Sequence, residues 1–136
     1  MAGSAPSTVV GTGDEDIAVR RSRLRLAALL LGMGTLHFVV PGPFMRIVPP
    51  ALGRPRFWVY LSGVAEIVSG ALLLSPKTSR LGGTAAAATI VAVYPANIQM
   101  ALDAGLPRTT KALLIWLRLP LQAPLVAWAL RHARGR

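Results

Sequence analysis

The chain has 136 residues, of which 53% are hydrophobic and only 15% are charged, and its mean hydropathy is +0.52. A water-soluble domain of this length needs a polar shell, so these values favour a chain that lies largely in lipid. The absence of cysteine excludes disulfides, thiolate chemistry and iron–sulfur clusters. The two histidines, His37 and His132, are too few for a histidine metal centre, so we expect no metal and no intrinsic cofactor.

The formal net charge of +10 comes from basic residues that stand mostly at the ends of apolar segments. Arg20, Arg21, Arg23 and Arg25 precede the first segment, Lys77 and Arg80 separate two others, and Arg131, Arg134 and Arg136 close the chain. A groove that follows a nucleic-acid backbone needs a continuous basic face. The observed distribution is instead typical of charges that stop at membrane surfaces. We therefore expect membrane lipids as partners and no nucleic acid.

Residues 1–23 are predicted to form a flexible, basic N-terminal tail. Residues 1–16 are rich in Gly, Ser, Thr and Ala and then acidic, with no apolar period that would direct packing. The stretch RRSRLRLAALLLGMG also resembles the front of an export signal. Three further apolar segments follow it, and no small-residue cleavage site comes directly after its apolar core, which disfavours that interpretation.

Four apolar segments follow, at about residues 24–40, 57–75, 81–102 and 112–130. At ~1.5 Å per residue, each is long enough to cross a hydrocarbon core about 30 Å thick. Lipid cannot satisfy backbone N–H and C=O groups, so the segments should be helices. The sequence thus predicts an all-α polytopic membrane protein, with an antiparallel four-helix transmembrane bundle over 24–130 and a basic C-terminal tail over 131–136.

Small residues at helical spacing predict two packing faces within these segments. One is formed by Ala88, Ala92 and Ala96, four residues apart, and the other includes Gly63 and Gly70, seven residues apart. Small side chains at such positions let helices approach closely. General alanine richness is the alternative explanation.

The flanks of the segments suggest an orientation in the membrane. The N-terminal, 76–80 and C-terminal flanks carry nine Lys and Arg residues, and the other two loops carry five. An even number of spans puts both termini on one side, and the positive-inside rule makes that side the cytoplasm. The Ala-, Arg- and Gly-rich composition suggests a bacterial protein, and thus the inner membrane.

The loop over residues 41–56 holds five prolines together with apolar side chains. Proline density prevents a long helix there. Because Phe44, Met45, Ile47 and Val48 would be poorly placed in water, we expect this loop to lie at, or dip into, the outer membrane surface. A plain surface loop is the alternative.

Two ionisable residues stand out deep inside predicted spans, where each costs roughly 2.5–3.5 kcal/mol on insertion scales. Glu66 is at the middle of the second span, and Arg118 is near the start of the fourth. A buried arginine cannot readily lose its proton and needs an acceptor. Since Asp103 at a boundary is the only other acidic residue of the spans, we expect Glu66 and Arg118 to pair.

His37, Asn97 and Gln122 add polar groups at related depths. Counted from the proposed outer ends at ~1.5 Å per residue, all of these residues fall in one half of the bilayer. Pro95 and Pro120 stand close by and free backbone carbonyls, as in broken helices that line cavities. The predicted ligand-binding residues are His37, Glu66, Asn97, Arg118 and Gln122. The alternative is that they only lock the helices together.

Four segments carry a family resemblance: GTLHFVVPGPFMRIVPPAL, YLSGVAEIVSGALLL, VYPANIQMALD and WLRLPLQAPLVAWA. They resemble the DoxX-like family of small membrane proteins over about residues 24–130. The resemblance implies a four-helix transmembrane domain, and it places Glu66, Asn97, Arg118 and Gln122 in recurrent polar motifs, with His37 in a helix-end HF motif. Most members of that family have no assigned activity, and its name comes from a subunit associated with thiosulfate:quinone oxidoreduction.

The expected function is that of an accessory membrane protein whose polar site binds a quinone or lipid, and not that of an enzyme on its own. One alternative is a membrane subunit of a quinone-linked oxidoreductase, in which a redox partner protein carries the cofactor. The other is a proton-coupled small transporter that uses Glu66, which four helices allow only through a homo-oligomer or a very small pore.

Overall fold

The computed structural model describes residues 12–135, with side chains from residue 17 onward. Within this range the chain forms helices and no strand, so the predicted all-α class is confirmed there. The helices are α1 (Thr12–Val39), α2 (Pro41–Arg46), α3 (Pro55–Leu74), α4 (Ser79–Ala92), α5 (Tyr94–Ala104) and α6 (Thr110–Ala133), with a short 3-10 turn at Pro50–Leu52.

The two predicted tails differ from the structure in part. Helix α1 begins at Thr12, so residues 12–23 are helical where a tail was predicted. Side chains near the end of that stretch explain the difference, because Ser22 contacts α6 and Arg23 donates a hydrogen bond to the carbonyl of Leu73 on α3. Helix α6 likewise continues to Ala133. The remaining tail predictions, for 1–11 and 136, lie outside the described residues.

Three helical stretches are long and apolar enough to cross a membrane. They are Pro55–Leu74, Ser79–Ala104 and Thr110–Ala133, with mean hydropathies of 1.7, 1.4 and 1.5. These correspond to the second, third and fourth predicted spans. Helix α1 is not among them, because Arg23, Arg25 and His37 lower the hydropathy of its apolar part. The first predicted span, and with it the four-helix transmembrane bundle, stays a prediction.

Helix α1 packs antiparallel against α3 through glycines. A Cβ on Gly63 would lie 2.9 Å from His37 Cβ, and one on Gly70 would lie 3.0 Å from the carbonyl oxygen of Ala27. The residue numbers on α1 fall as those on α3 rise, which defines the antiparallel direction. The predicted packing face at Gly63 and Gly70 is confirmed.

Helix α4 packs against α6, and contacts between α3 and α4 connect the α1–α3 pair to the α4–α6 pair. The main apolar core lies among these helices and consists of Leu26, Ala27, Leu30, Leu73, Ala86, Ala87, Ile90 and Ala129. The predicted face at Ala88, Ala92 and Ala96 is wrong, because Ala88 and Ala92 are exposed. The buried line of α4 runs instead through Gly82, Gly83 and Ala86, where the two glycines permit the closest approach of neighbouring backbones.

The third predicted span is interrupted at Val93, between α4 and α5. Pro95 stands in the first turn of α5. The backbone N–H groups of a first turn have no acceptor within the helix, so the missing N–H of proline costs no hydrogen bond there. The predicted interruption by Pro95 is therefore confirmed. Pro120 has no such effect, because α6 runs through both Pro120 and Pro124 as one helix.

The proline-rich loop contains α2 and the short 3-10 turn and forms no long helix, as predicted. It ends at Gly53 and Arg54, whose φ angles of 58° and 43° lie in the left-handed region. This reversal brings the chain into α3 and folds the loop back over the end of α1, where Phe44 stacks on His37.

Candidate functional site

A cavity of about 330 Å³ lies where the proline-rich loop, the break between α4 and α5, and helices α1, α3 and α6 meet. Its wall is largely apolar, with four of the predicted site residues among the lining side chains: His37, Glu66, Asn97 and Arg118. A volume of this size is at the lower end of the range for small-molecule sites. The cavity is therefore the candidate site.

His37 stands near the C-terminal end of α1 and is buried. Its Nδ1 lies 2.7 Å from the carbonyl oxygen of Met33, one helical turn earlier. A carbonyl can only accept, so Nδ1 carries a proton and donates it, which leaves Nε2 as the second polar atom of the ring. Phe44 of α2 stacks on the imidazole, with the ring centroids 4.0 Å apart and the planes inclined by 19°. The loop thus holds the histidine in one orientation.

Glu66 projects from the middle of α3 beside His37. Its Oε2 lies 3.3 Å from His37 Nδ1, but the Nδ1 proton is directed at Met33. Among the described residues, no donor forms a hydrogen bond to this buried Oε2. An unsatisfied buried polar atom costs about 1–3 kcal/mol. A molecule in the cavity that bonds to this oxygen would recover that free energy.

Asn97 and Arg118 complete the polar part of the cavity. Asn97 is buried in the first turns of α5, directly after the break at Val93, so the interruption of the helix positions the amide. Arg118 projects from α6 and is exposed. It can therefore orient an acceptor at the opening of the cavity.

The predicted ion pair between Glu66 and Arg118 does not form. Both residues line the cavity, yet the basic side chain within 4 Å of the Glu66 carboxylate, among the described residues, is His37 and not Arg118. The reason is the close approach of α1 to α3 at Gly34 and Gly63, which places His37 next to Glu66. Arg118 is left to face the cavity and its surroundings.

Gln122 is the one predicted site residue that does not line the cavity. It lies one turn after Arg118, and the i, i+4 step adds about 6 Å along the axis and roughly 40° around it. Gln122 is buried, and its Oε1 has no hydrogen-bond donor among the described residues.

Sequence reasoning missed the part of the wall that comes from the proline-rich loop and from α3. These residues are Phe44, Ile47, Val48, Pro49, Leu52, Trp58, Val59 and Ser62. Ser62 and Val59 stand four and seven residues before Glu66, so helical spacing could have identified them. The loop residues carried a weaker signal, namely apolar side chains in a segment that cannot form a long helix.

The arrangement suits a molecule with a small polar head and an apolar body. A carboxyl, an imidazole, an amide and a guanidinium face a wall of aromatic and aliphatic side chains, the pattern typical of ligand sites. Over the residues that the structure describes, there is no group of three or more His, Cys, Asp or Glu side chains that would hold a metal ion.

The chain belongs to a family described as a domain of unknown function (DUF8561), whose model matches residues 26–133. The match covers the second half of α1 and everything that follows up to the end of α6, including all the residues that line the cavity. No curated protein and no solved structure gives a significant match to the chain. The resemblance to the DoxX-like family stays a prediction.

Proposed function

We propose that this chain is a four-helix integral membrane protein whose cavity binds the head of a small amphipathic molecule, with quinones as the leading class. The observation that carries the proposal is the cavity itself. It combines four polar side chains with a mainly apolar wall, and one of its buried carboxyl oxygens has no donor among the described residues. The role is an accessory one, in which the protein binds and presents the molecule.

The membrane placement is supported by the three apolar helical stretches and by their surfaces. Large aliphatic side chains are exposed on all three, among them Leu61, Val64, Val68, Leu81, Val91, Leu102, Leu113, Leu114, Leu117 and Leu121. So much exposed apolar surface is unusual in water but ordinary in lipid. In our proposal α1 also crosses the membrane, as the first of four spans. Both termini then lie on the cytoplasmic side of a bacterial inner membrane, as the positive-inside rule favours.

Quinones match the chemistry of the cavity. A carboxyl group donates a hydrogen bond when protonated and accepts one when ionised, so Glu66 can bond to a quinone carbonyl or to a quinol hydroxyl. Asn97 and Arg118 supply further N–H donors, and the aromatic rings of Phe44 and Trp58 line the wall beside a planar head. The resemblance to the DoxX-like family points the same way. A redox partner protein would supply the cofactor if the chain serves a quinone-linked oxidoreductase.

The test is calorimetric titration of the purified protein in detergent with decylubiquinone. Replacing Arg118 with alanine should weaken binding about tenfold or more, because a hydrogen bond from a charged donor to the ligand is lost. The matched control is Arg108→Ala, which removes an exposed arginine that does not line the cavity.

Saturable binding that falls in Arg118→Ala and persists in Arg108→Ala supports the proposal. Equal affinity in the wild type and in Arg118→Ala, or no saturable binding in the wild type, rejects it.

A further inference from the structure

A second polar cluster lies at the other end of the helices from the cavity, where α1 meets α6. Trp128 donates its indole N–H to the Ser22 hydroxyl at 2.8 Å, and Ser22 Oγ lies 3.2 Å from Nε2 of the buried His132. Ser22 and Trp128 are 106 positions apart, and no sequence motif links them. These contacts form what we call the α1–α6 seam, defined by Ser22, Trp128 and His132.

A buried positive charge stands beside this seam. Arg23 is only 7% exposed and donates to the backbone carbonyl of Leu73. No carboxylate forms an ion pair with it among the side chains described from residue 17 onward. A positive charge that is shielded from water makes the region attractive to an anion.

Two exposed arginines flank the seam on the same outer side. Arg25 stands three residues after Ser22 on α1, and Arg131 stands three residues after Trp128 on α6. Residues three apart are neighbours on a helix surface. Helix α1 runs from the seam to the cavity, whereas α6 runs from the cavity to the seam, so the two helices are antiparallel. The same i+3 step therefore leads to the same side of the seam on both helices.

The surface changes from basic to apolar along this side of the seam. Leu29, one turn deeper than Arg25 on α1, is 42% exposed, and Ala127 and Pro124, four and seven residues before Arg131 on α6, are exposed as well. Arginine side chains are long enough to reach a headgroup while their stems cover apolar surface. Cations above and aliphatic side chains below match a lipid better than a free phosphate ion.

We propose that the outer side of the α1–α6 seam binds the phosphodiester group of an acidic phospholipid through Arg25 and Arg131, with the acyl chains against Leu29, Pro124 and Ala127. This inference rests on the membrane placement proposed above but not on the ligand of the cavity. The seam and the cavity share no residue.

The experiment uses the full chain in nanodiscs that contain phosphatidylglycerol and phosphatidylcholine in equal amounts. After release into the gas phase, native mass spectrometry measures the ratio of the two lipids retained by the protein. The test variant is Arg25→Gln with Arg131→Gln. The control is Arg56→Gln with Arg108→Gln, which removes the same charge from exposed positions away from the seam.

The wild type should retain phosphatidylglycerol preferentially, and the test variant should lose roughly 25-fold of that preference, since each basic side chain near an anionic surface is worth roughly fivefold. The control variant should keep the preference. Equal loss in both variants would show a response to net charge alone and would overturn the proposal, as would a wild type with no preference. Failure to insert into nanodiscs would instead reject the membrane placement, and decylubiquinone binding on the same samples reports on the cavity separately.

Discussion

Replacing Gly83 with alanine should destabilise the protein by roughly 3 kcal/mol, near the top of the usual range for an overpacked core. A Cβ at this position would lie 2.7 Å from the carbonyl oxygen of Ala129 and closer still to the backbone N of Ala133. Both are backbone atoms of α6, so no side chain can rotate to make room. The whole of α6 must shift away from α4, which loosens the contacts of Ala86 and Ala129 in the core.

The matched control is Gly32→Ala on α1, where nothing lies within 4 Å of the added Cβ. Alanine is favoured over glycine inside a helix by about 1 kcal/mol, so this variant should be at least as stable as the wild type. Thermal unfolding in detergent, followed by circular dichroism, measures both effects. Equal melting temperatures for the two variants would contradict the close packing of α4 on α6.

Replacing Glu66 with leucine should weaken decylubiquinone binding about 100-fold while leaving the stability of the protein unchanged or higher. The loss follows from the hydrogen bond between the carboxyl group and the ligand, worth about 1.5–3 kcal/mol when a charged group takes part. The free energy of unfolding should not fall, because Glu66 Oε2 receives no hydrogen bond within the described part of the chain. Leucine has a similar volume and removes a buried polar group without a partner.

Asp103→Leu is the control for this substitution. Asp103 is exposed, accepts a hydrogen bond from Gln99 at 2.8 Å and does not line the cavity, so binding should be unchanged. The combined measurement separates a binding site from a structural lock. If Glu66→Leu lowers the melting temperature by several degrees and leaves binding intact, Glu66 holds the helices together and the site is elsewhere.

Much of the helical architecture follows from local properties of the sequence. Long apolar segments predict helices, Pro95 predicts the interruption of the third segment, and Gly63 and Gly70 predict where α3 meets a neighbour. Each of these signals acts within a few residues. The packed end of the predicted N-terminal tail was missed because Ser22 and Arg23 have their partners on α6 and α3, far away in the sequence.

The candidate site was predicted in its composition more than in its geometry. Depth along the spans brings His37, Glu66, Asn97 and Arg118 to one level, and all four line the cavity. The depth of a residue does not determine in which direction around the helix axis its side chain points. Sequence therefore could not show that Glu66 lies beside His37 instead of Arg118, nor that Gln122 does not line the cavity.

The loop that covers the site is the least predictable part. Its prolines indicate an irregular path but not where that path leads. The stacking of Phe44 on His37 and the turn at Gly53 and Arg54 decide that the loop folds over the cavity. Such tertiary contacts override local preference.

Fluorescence quenching by decylubiquinone measures whether an amphipathic molecule binds in the cavity beside Trp58. Two variants each keep one tryptophan, either Trp58, which lines the cavity, or Trp116, which donates to the carbonyl of Gly105 and does not line it. If the cavity binds decylubiquinone, quenching should saturate for Trp58 and rise linearly, by collision alone, for Trp116. Linear quenching of Trp58, with the same slope as that of Trp116, would contradict it.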